Sequence, residues 1–267
     1  MFYDIYNEIQ LVPDAPYVVT NDLLYADDTV LLSSSQGNVQ QLLDAVVVEG
    51  SKYGLELNWQ KPYQMNINSN STILRPDGAE MEKKRSIIYL GGMISCDGKS
   101  GVEVRRRVSE GRSAFKILSR LWSHANVPLH CKLDIFNACI TSKVLYSLES
   151  LWLLQTDRSR LDAFQCSCVR QILRIAPSFI SRVSNADVLT RAHQMQYSSM
   201  FQKRQVQLFQ KIQLMPVDSM LRKLVCNSSG DPKTWHAHRG RGRPSQRWTE
   251  SAYKFVLQDL GHSPMHI

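Results

Sequence analysis

Two adjacent carboxylates, Asp27 and Asp28, are the residues of this sequence best suited to chemistry. They stand in Leu-Leu-Tyr25-Ala26-Asp27-Asp28-Thr-Val-Leu-Leu, with no Lys or Arg beside them to neutralise the pair. Like charges held this close repel unless a cation intervenes. Magnesium is such a cation, and it prefers one or two carboxylates plus phosphate oxygens. Two such ions about 3.5–4 Å apart can activate an attacking hydroxyl and stabilise a leaving oxygen, which is the chemistry of nucleotidyl transfer. An Asp-Asp pair by itself more often makes a solvated turn, so its setting decides.

Aspartate is a poor strand former and a good turn former. The ten residues 23–32 therefore predict a tight β-hairpin with Asp27 and Asp28 at its tip. Val39, Leu42, Leu43, Val46 and Val47 have helical spacing and predict a helix over 38–53, which Gly54 closes. Leu55–Asn58 and Tyr63–Ile67 read as strands, and Ile87–Ile94 as a strand pair bent at Gly91-Gly92. Beyond Val102 the pattern turns helical. Val104, Val108, Gly111, Phe115, Leu118 and Trp122 step by 4, 3, 4, 3, 4 and mark one apolar stripe. Further helices are expected over 130–150 (Leu133, Phe136, Ile140 and Val144 inward), 158–175, 184–192, 195–215 and 246–260, with a loop over 227–246. The expected architecture is α+β. Residues 1–100 form a small unit of hairpin, helix and strands, 101–175 an all-helical middle, and 176–267 a basic helical C-terminal region.

Composition fits this. The 267 residues are 43% hydrophobic and 21% charged, which excludes disorder throughout and a fibrous chain. No uncharged apolar run reaches the roughly 20 residues of a membrane span. MFYDIYNEIQ lacks the basic and apolar regions of a secretory signal, so an intracellular protein is expected, in nucleus or cytoplasm and off the membrane. None of the six cysteines forms a CxxC pair, so they are read as reduced and not zinc-binding. Charge is segregated: residues 1–80 hold 3 Lys/Arg and 11 Asp/Glu, and residues 81–267 hold 29 and 13. The basic body suits a polyanion, or is simply a solvated basic surface.

Tyr25-Ala26-Asp27-Asp28 between its apolar flanks closely resembles the catalytic hairpin of reverse transcriptases. GLELNWQK at 54–61 resembles the next palm motif of LINE-type (non-LTR retrotransposon) enzymes, G-L-x-(hydrophobic)-N-x-x-K-T. Tyr89-Leu90-Gly91 resembles the Y-L-G hairpin that grips the primer. VEVRRRVSEGRSAFKIL at 102–118 is similar to the first thumb helix, and LYSLESLWLL at 145–154 to a segment that reads LYG-x-E-T-W in the family. LDAFQCSCVRQILRI, SNADVL and GRGRPSQRW continue the likeness, in the family's order, to about residue 260.

The resemblance implies a partial palm followed by a thumb, taking an RNA template, a DNA primer and dNTPs, with two Mg²⁺ ions. Asp27 would be the main metal ligand and Asp28 would assist. Lys61 would approach the triphosphate and help protonate the leaving pyrophosphate, or is a solvated surface lysine. Tyr25 would lie along the primer–template, and Tyr89, Leu90 and Gly91 would shape the primer grip. Arg105, Arg106, Arg112, Lys116 and Arg120 would form a phosphate-tracking helix face. Arg241 and Arg243, set among glycines, would enter an A·T-rich minor groove or belong to a flexible basic linker. The sequence departs from the family where the threonine after Lys61 is Pro62, and where a G-H-x-x-R segment would be FQKIQLM. A further catalytic aspartate and a Q-G-x-x-x-S-P motif do not occur before the hairpin, so a fragment of a longer polymerase, or a degenerate copy, is expected. It would either polymerise with its missing palm and fingers or act as an inactive RNA/DNA-binding remnant.

Overall fold

The computed structural model describes residues 22–123, 126–233 and 248–259. The chain is α+β, with two small antiparallel hairpins ahead of a helical assembly. In the first hairpin, β1 (Asp22–Tyr25) pairs with β2 (Asp28–Leu31) in the register Tyr25↔Asp28 and Asp22↔Leu31. Helix α1 (Gln36–Ser51) follows and buries Leu42 and Leu43. It stops where expected: Gly54 takes φ +73, and the Leu55 N–H returns to the Gly50 carbonyl. The second hairpin joins β3 (Ser86–Tyr89) to β4 (Gly92–Ser95) through a two-residue turn at Leu90-Gly91. Both turn residues have positive φ, +47 and +77, which matches the right-handed twist of the flanking strands. The bend therefore lies one residue earlier than Gly91-Gly92.

The strands expected at 55–58 and 63–67 do not form. Asn58 turns the chain instead, its side-chain oxygen accepting from the Gln60 N–H and its carbonyl from the Lys61 N–H. Around Gln64, ladder positions are taken by side chains. The Gln64 amide donates to the Ser71 carbonyl and accepts from the Ile73 N–H. Gln40 of α1 does the same for both main-chain groups of Leu74. Two glutamine side chains thus stand in for a strand edge, leaving only isolated bridges at Gln64↔Lys83 and Leu74↔Glu80. The core beneath is small: Leu43, Ile73 and Met81, with Leu31, Val39 and Trp59 at its rim.

The helical part begins with α2 (Gly101–Ile117) and, after a break at Leu118, α3 (Ser119–Ser123). Then come α4 (Leu129–Phe136), a π-helical segment (Asn137–Thr141), α5 (Ser142–Val144) and a 3₁₀ turn (Leu148–Ser150). Next are α6 (Gln155–Ile172), α7 (Ser178–Ser181), α8 (Asn185–Arg191), α9 (Tyr197–Gln213), α10 (Met220–Val225) and α11 (Trp248–Asp259). Ser184 and Asp187 close a reciprocal capping box at the start of α8.

The apolar stripe of α2 is buried at Val104, Val108, Gly111 and Phe115, and continues to Trp122. It packs on Phe136, Ile140 and Val144 of α4–α5 and on Leu161 and Phe164 of α6. A Cβ on Gly111 would lie 2.4 Å from Val144 and 3.1 Å from Phe164, so this glycine sets how closely α2 approaches its neighbours. The boundary expected at 175 does not divide the packing: one core runs from Val104 to Phe201. A second core, Val206, Phe209, Ile212, Cys226, Ala252 and Val256, shares α9 with it. Helix α9 is thus the beam joining the two. Among the described residues, no helix is long and apolar enough to cross a membrane.

Candidate functional site

The first hairpin carries Asp27 in its turn and Asp28 as the opening residue of β2, both exposed. Tyr25 is directly across from Asp28 and 64% exposed, so ring and carboxylate share one face of the ribbon. Ala26 holds φ +52. That left-handed conformation suits glycine in a two-residue turn and costs other residues about 1–2 kcal/mol. The turn thus presents Asp27 from a strained backbone.

Two carboxylates facing solvent suit one magnesium ion whose other ligands are water and phosphate oxygens. A two-ion site needs more. Among the described residues, no group of three His, Cys, Asp or Glu comes together. Lys61 is exposed at the end of the Asn58 turn, immediately before Pro62. Tyr89 is half-buried, whereas Leu90 and Gly91 are exposed at the tip of the second hairpin.

That tip is held from two directions. The Tyr146 hydroxyl donates to the Leu90 carbonyl at 3.1 Å. Arg106 and Arg107 of α2 both donate to the Gly91 carbonyl, at 2.7 and 2.5 Å. Behind them is Glu103, 2% exposed, which accepts from Arg106 at 2.6 and 2.7 Å and from Arg107 at 2.7 Å. Glu110 takes a further Arg106 nitrogen at 2.6 Å. Hydrogen bonding to Glu103 raises the Arg106 pKa above its ordinary value, against the effect of burial. The expected phosphate contact by Arg106 is therefore displaced: its guanidinium faces inward, onto two carboxylates and a carbonyl. A run of arginines read as one basic face is in fact split by i,i+3 and i,i+4 pairing to Glu103 and Glu110.

Arg105, Arg112, Lys116 and Arg120 are exposed. Arg112 and Lys116 line a groove of about 650 Å³ between α2–α3 and α6. Its other wall is the exposed stripe Arg160, Ala163, Ser167, Gln171 and Arg174. The floor is aromatic: Phe115 stacks on Trp122 with ring centroids 5.0 Å apart, and Phe164 lies beside them. The Trp122 N–H is already given to the Phe115 carbonyl at 2.8 Å. Cys168, also on the floor, has its thiol pushed up to about 12 by burial, so it adds no charge at neutral pH. Four cations and no carboxylate line this groove.

Comparison with protein-family models, with curated proteins and with solved structures finds no match. The chain's chemistry is therefore read from its own geometry.

Sequence reasoning missed Tyr146, Glu103, Arg160 and Arg174. Glu103 was detectable, being three and four residues before Arg106 and Arg107 on one helix. The α6 wall was detectable as polar or small residues at steps of 3, 4, 4, 3 alongside the buried Leu161, Phe164 and Cys168. The hold of Tyr146 on Leu90, 56 residues away, has no local signal. Several other cations of the basic body also serve the fold. Arg170 donates to the Ala176 and Val183 carbonyls, Arg204 to Leu145 and Arg222 to Met215. Arg241 and Arg243 lie outside the described residues.

Proposed function

We propose that this chain is the palm-hairpin and thumb portion of a LINE-type, RNA-directed DNA polymerase, working on a primed RNA template with dNTPs. The observation that carries the reading is a convergence. Three segments that resemble successive parts of such enzymes, 89–91, 102–118 and 145–154, meet at one junction. There Arg106, Arg107 and Tyr146 hold the Leu90-Gly91 carbonyls. The YADD segment, moreover, forms the tight exposed hairpin that the chemistry requires.

In the reaction the primer 3′-hydroxyl attacks the α-phosphorus of a dNTP and pyrophosphate leaves. Magnesium, held by Asp27 and Asp28, would supply charge neutralisation at the reacting phosphate. Tyr25, on the same face as Asp28, would lie against the primer end. Lys61 would donate a proton toward the leaving pyrophosphate. The Leu90-Gly91 turn, fixed to the thumb helix, would set the primer's position relative to the hairpin.

A second reading is a nucleic-acid-binding remnant that polymerises nothing. It is favoured by the basic groove at α2 and α6, and by a first hairpin that, among the described residues, groups only two carboxylates. Primer extension separates the two. Purified chain is given a primed RNA template, dNTPs and Mg²⁺, with Asp27→Ala and Asp28→Ala as controls. Extension lost in both variants supports the polymerase. Salt-sensitive RNA binding without extension supports the remnant, and neither binding nor extension defeats both.

A further inference from the structure

We propose that the groove between α2–α3 and α6 binds the phosphate backbone of a single nucleic-acid strand, without reading its bases. This rests on the nucleic-acid-binding reading above and moves the contact from the outer face of the thumb helix into a two-walled cleft. Four observations converge on it.

Charge comes first. Arg112 and Lys116 stand on one wall, and Arg160 and Arg174 mark the two ends of the other. The carboxylates of α2 and α6 are turned elsewhere. Glu103 and Glu110 hold Arg106. Asp162 accepts from Gln196 and from the Ser198 N–H. Asp157, buried and outside the groove lining, pairs with Arg160 at 3.3 Å. A cleft lined by one sign of charge over low-dielectric walls concentrates counter-charge.

Size is second. At about 650 Å³ the groove is a ligand-scale cleft. A strand's phosphates and sugars can enter it, whereas a duplex could touch only its rim.

Third is the chemistry of the lining. Between Arg160 of α6 and Arg174 just past its end, the wall is Ala163, Ser167 and Gln171. Ala163 and Ser167 are short and leave the helix surface open to a close backbone. The aromatic floor offers no stacking platform: Phe115, Trp122 and Phe164 are buried, and the Trp122 donor is spent on Phe115. Recognition would therefore run through phosphates and stay indifferent to sequence.

The fourth observation is rigidity. Arg174 donates to the Ser123 carbonyl at 2.7 Å, tying the end of α6 to α3 and fixing the spacing of the walls.

The test is fluorescence anisotropy of a short labelled oligouridylate against the full chain, across about 50–200 mM salt. Variants are Ser167→Glu, which sets a carboxylate on an exposed wall position, and Arg160→Gln, with Lys211→Gln on exposed α9 as the control. Circular dichroism melts confirm that each is folded. Ser167→Glu and Arg160→Gln should each weaken binding at least about fivefold and lower the salt slope by about 0.7 per lost phosphate contact. The control should match the parent, and an oligoadenylate should bind like the oligouridylate. Parent binding with both groove variants at parental affinity overturns the groove while leaving nucleic-acid binding intact. No binding by the parent overturns both readings. Equal loss toward a hairpin duplex overturns the single-strand preference. Equal competition by polyglutamate of matched charge reassigns the groove to an acidic polypeptide.

Discussion

Arg107 stands over the ring of Tyr146, its guanidinium carbon 4.7 Å from the ring centroid, and the two side chains grip consecutive carbonyls of one turn. Arg107 takes Gly91 and Tyr146 takes Leu90. The ring under the guanidinium leaves its N–H edge free to bond, so the stacking and the two hydrogen bonds act together. A double-mutant cycle of Arg107→Met with Tyr146→Leu, read by urea denaturation, should give a coupling of about 0.5–2 kcal/mol. A coupling of zero would mean that the two hold the turn independently.

Glu103 is the buried anchor of the same junction. It is 2% exposed, and two arginines satisfy both of its oxygens. Glu103→Ala removes the carboxylate that both cations share, leaving Arg106 with Glu110 and both with the Gly91 carbonyl, and should cost about 3 kcal/mol. The midpoint should fall with little change in denaturant slope, because the helical core itself persists.

Gly111 sits in the interior of α2, where alanine would normally gain about 1 kcal/mol of helix propensity. Here a Cβ would meet Val144 at 2.4 Å. Gly111→Ala should therefore destabilise by about 1–3 kcal/mol despite the better propensity. A stabilised variant in thermal melts would show that α2 can move off α5 and α6 freely.

Much of this was legible in sequence, and the failures share a cause. Hairpin, helix and stripe positions follow local rules, so α1, α2 and α8 appear close to where period places them, and the first hairpin forms with its turn at Ala26-Asp27, one residue before the Asp27-Asp28 tip expected. What misled was long-range substitution. Gln40 and Gln64 replace a strand partner with side-chain amides, so an alternating segment at 63–67 stays irregular. Arg106 is directed inward by Glu103, which lies just outside the window that was read as basic. The groove arises because α6, which begins 38 residues after α2 ends, and the turn that follows it present Arg160 and Arg174 to the same cleft.

Ser147 holds φ +61 at the position where the resembling segment carries glycine. Its left-handed backbone costs about 1–2 kcal/mol; glycine would relieve that strain, and the freer unfolded chain it brings would offset part of the gain. Ser147→Gly should therefore stabilise by about 0.5–1 kcal/mol, measured by urea denaturation. Ser147→Ala should give no such gain.

Asp97, between β4 and α2, is exposed yet held at about 2, below its ordinary 3.8. The first cause is the Ser95 hydroxyl, and the Lys99 N–H adds to it. A depressed carboxylate contributes stability that is full above the unfolded value near 3.8 and is lost as pH falls toward 2. NMR titration should place Asp97 near the lower value, and Ser95→Ala should move it back toward the ordinary one. An unmoved titration would assign the depression to Lys99 instead.

Stability should divide along the chain as the cores do. Between residues 22 and 100 the buried apolar cluster is Leu43, Ile73 and Met81, and the strands form two separate two-stranded hairpins. Isolated hairpins are marginal in water, and Leu24 and Tyr25 of the first are more than half exposed. The helices from α2 to α9 share one continuous core in which Val104, Phe136, Ile140, Leu161 and Val169 lose all contact with solvent. Hydrogen exchange should then find the hairpin amides opening locally and fast, while α2 and α6 amides exchange only on global unfolding. Between the two, the β3–β4 hairpin should be better protected than β1–β2, because the Arg106, Arg107 and Tyr146 bonds couple it to α2. Glu103→Ala should erase that difference first. Uniform protection from Asp22 to Ile172 would mean that the small core is bound to the large one by more than this junction.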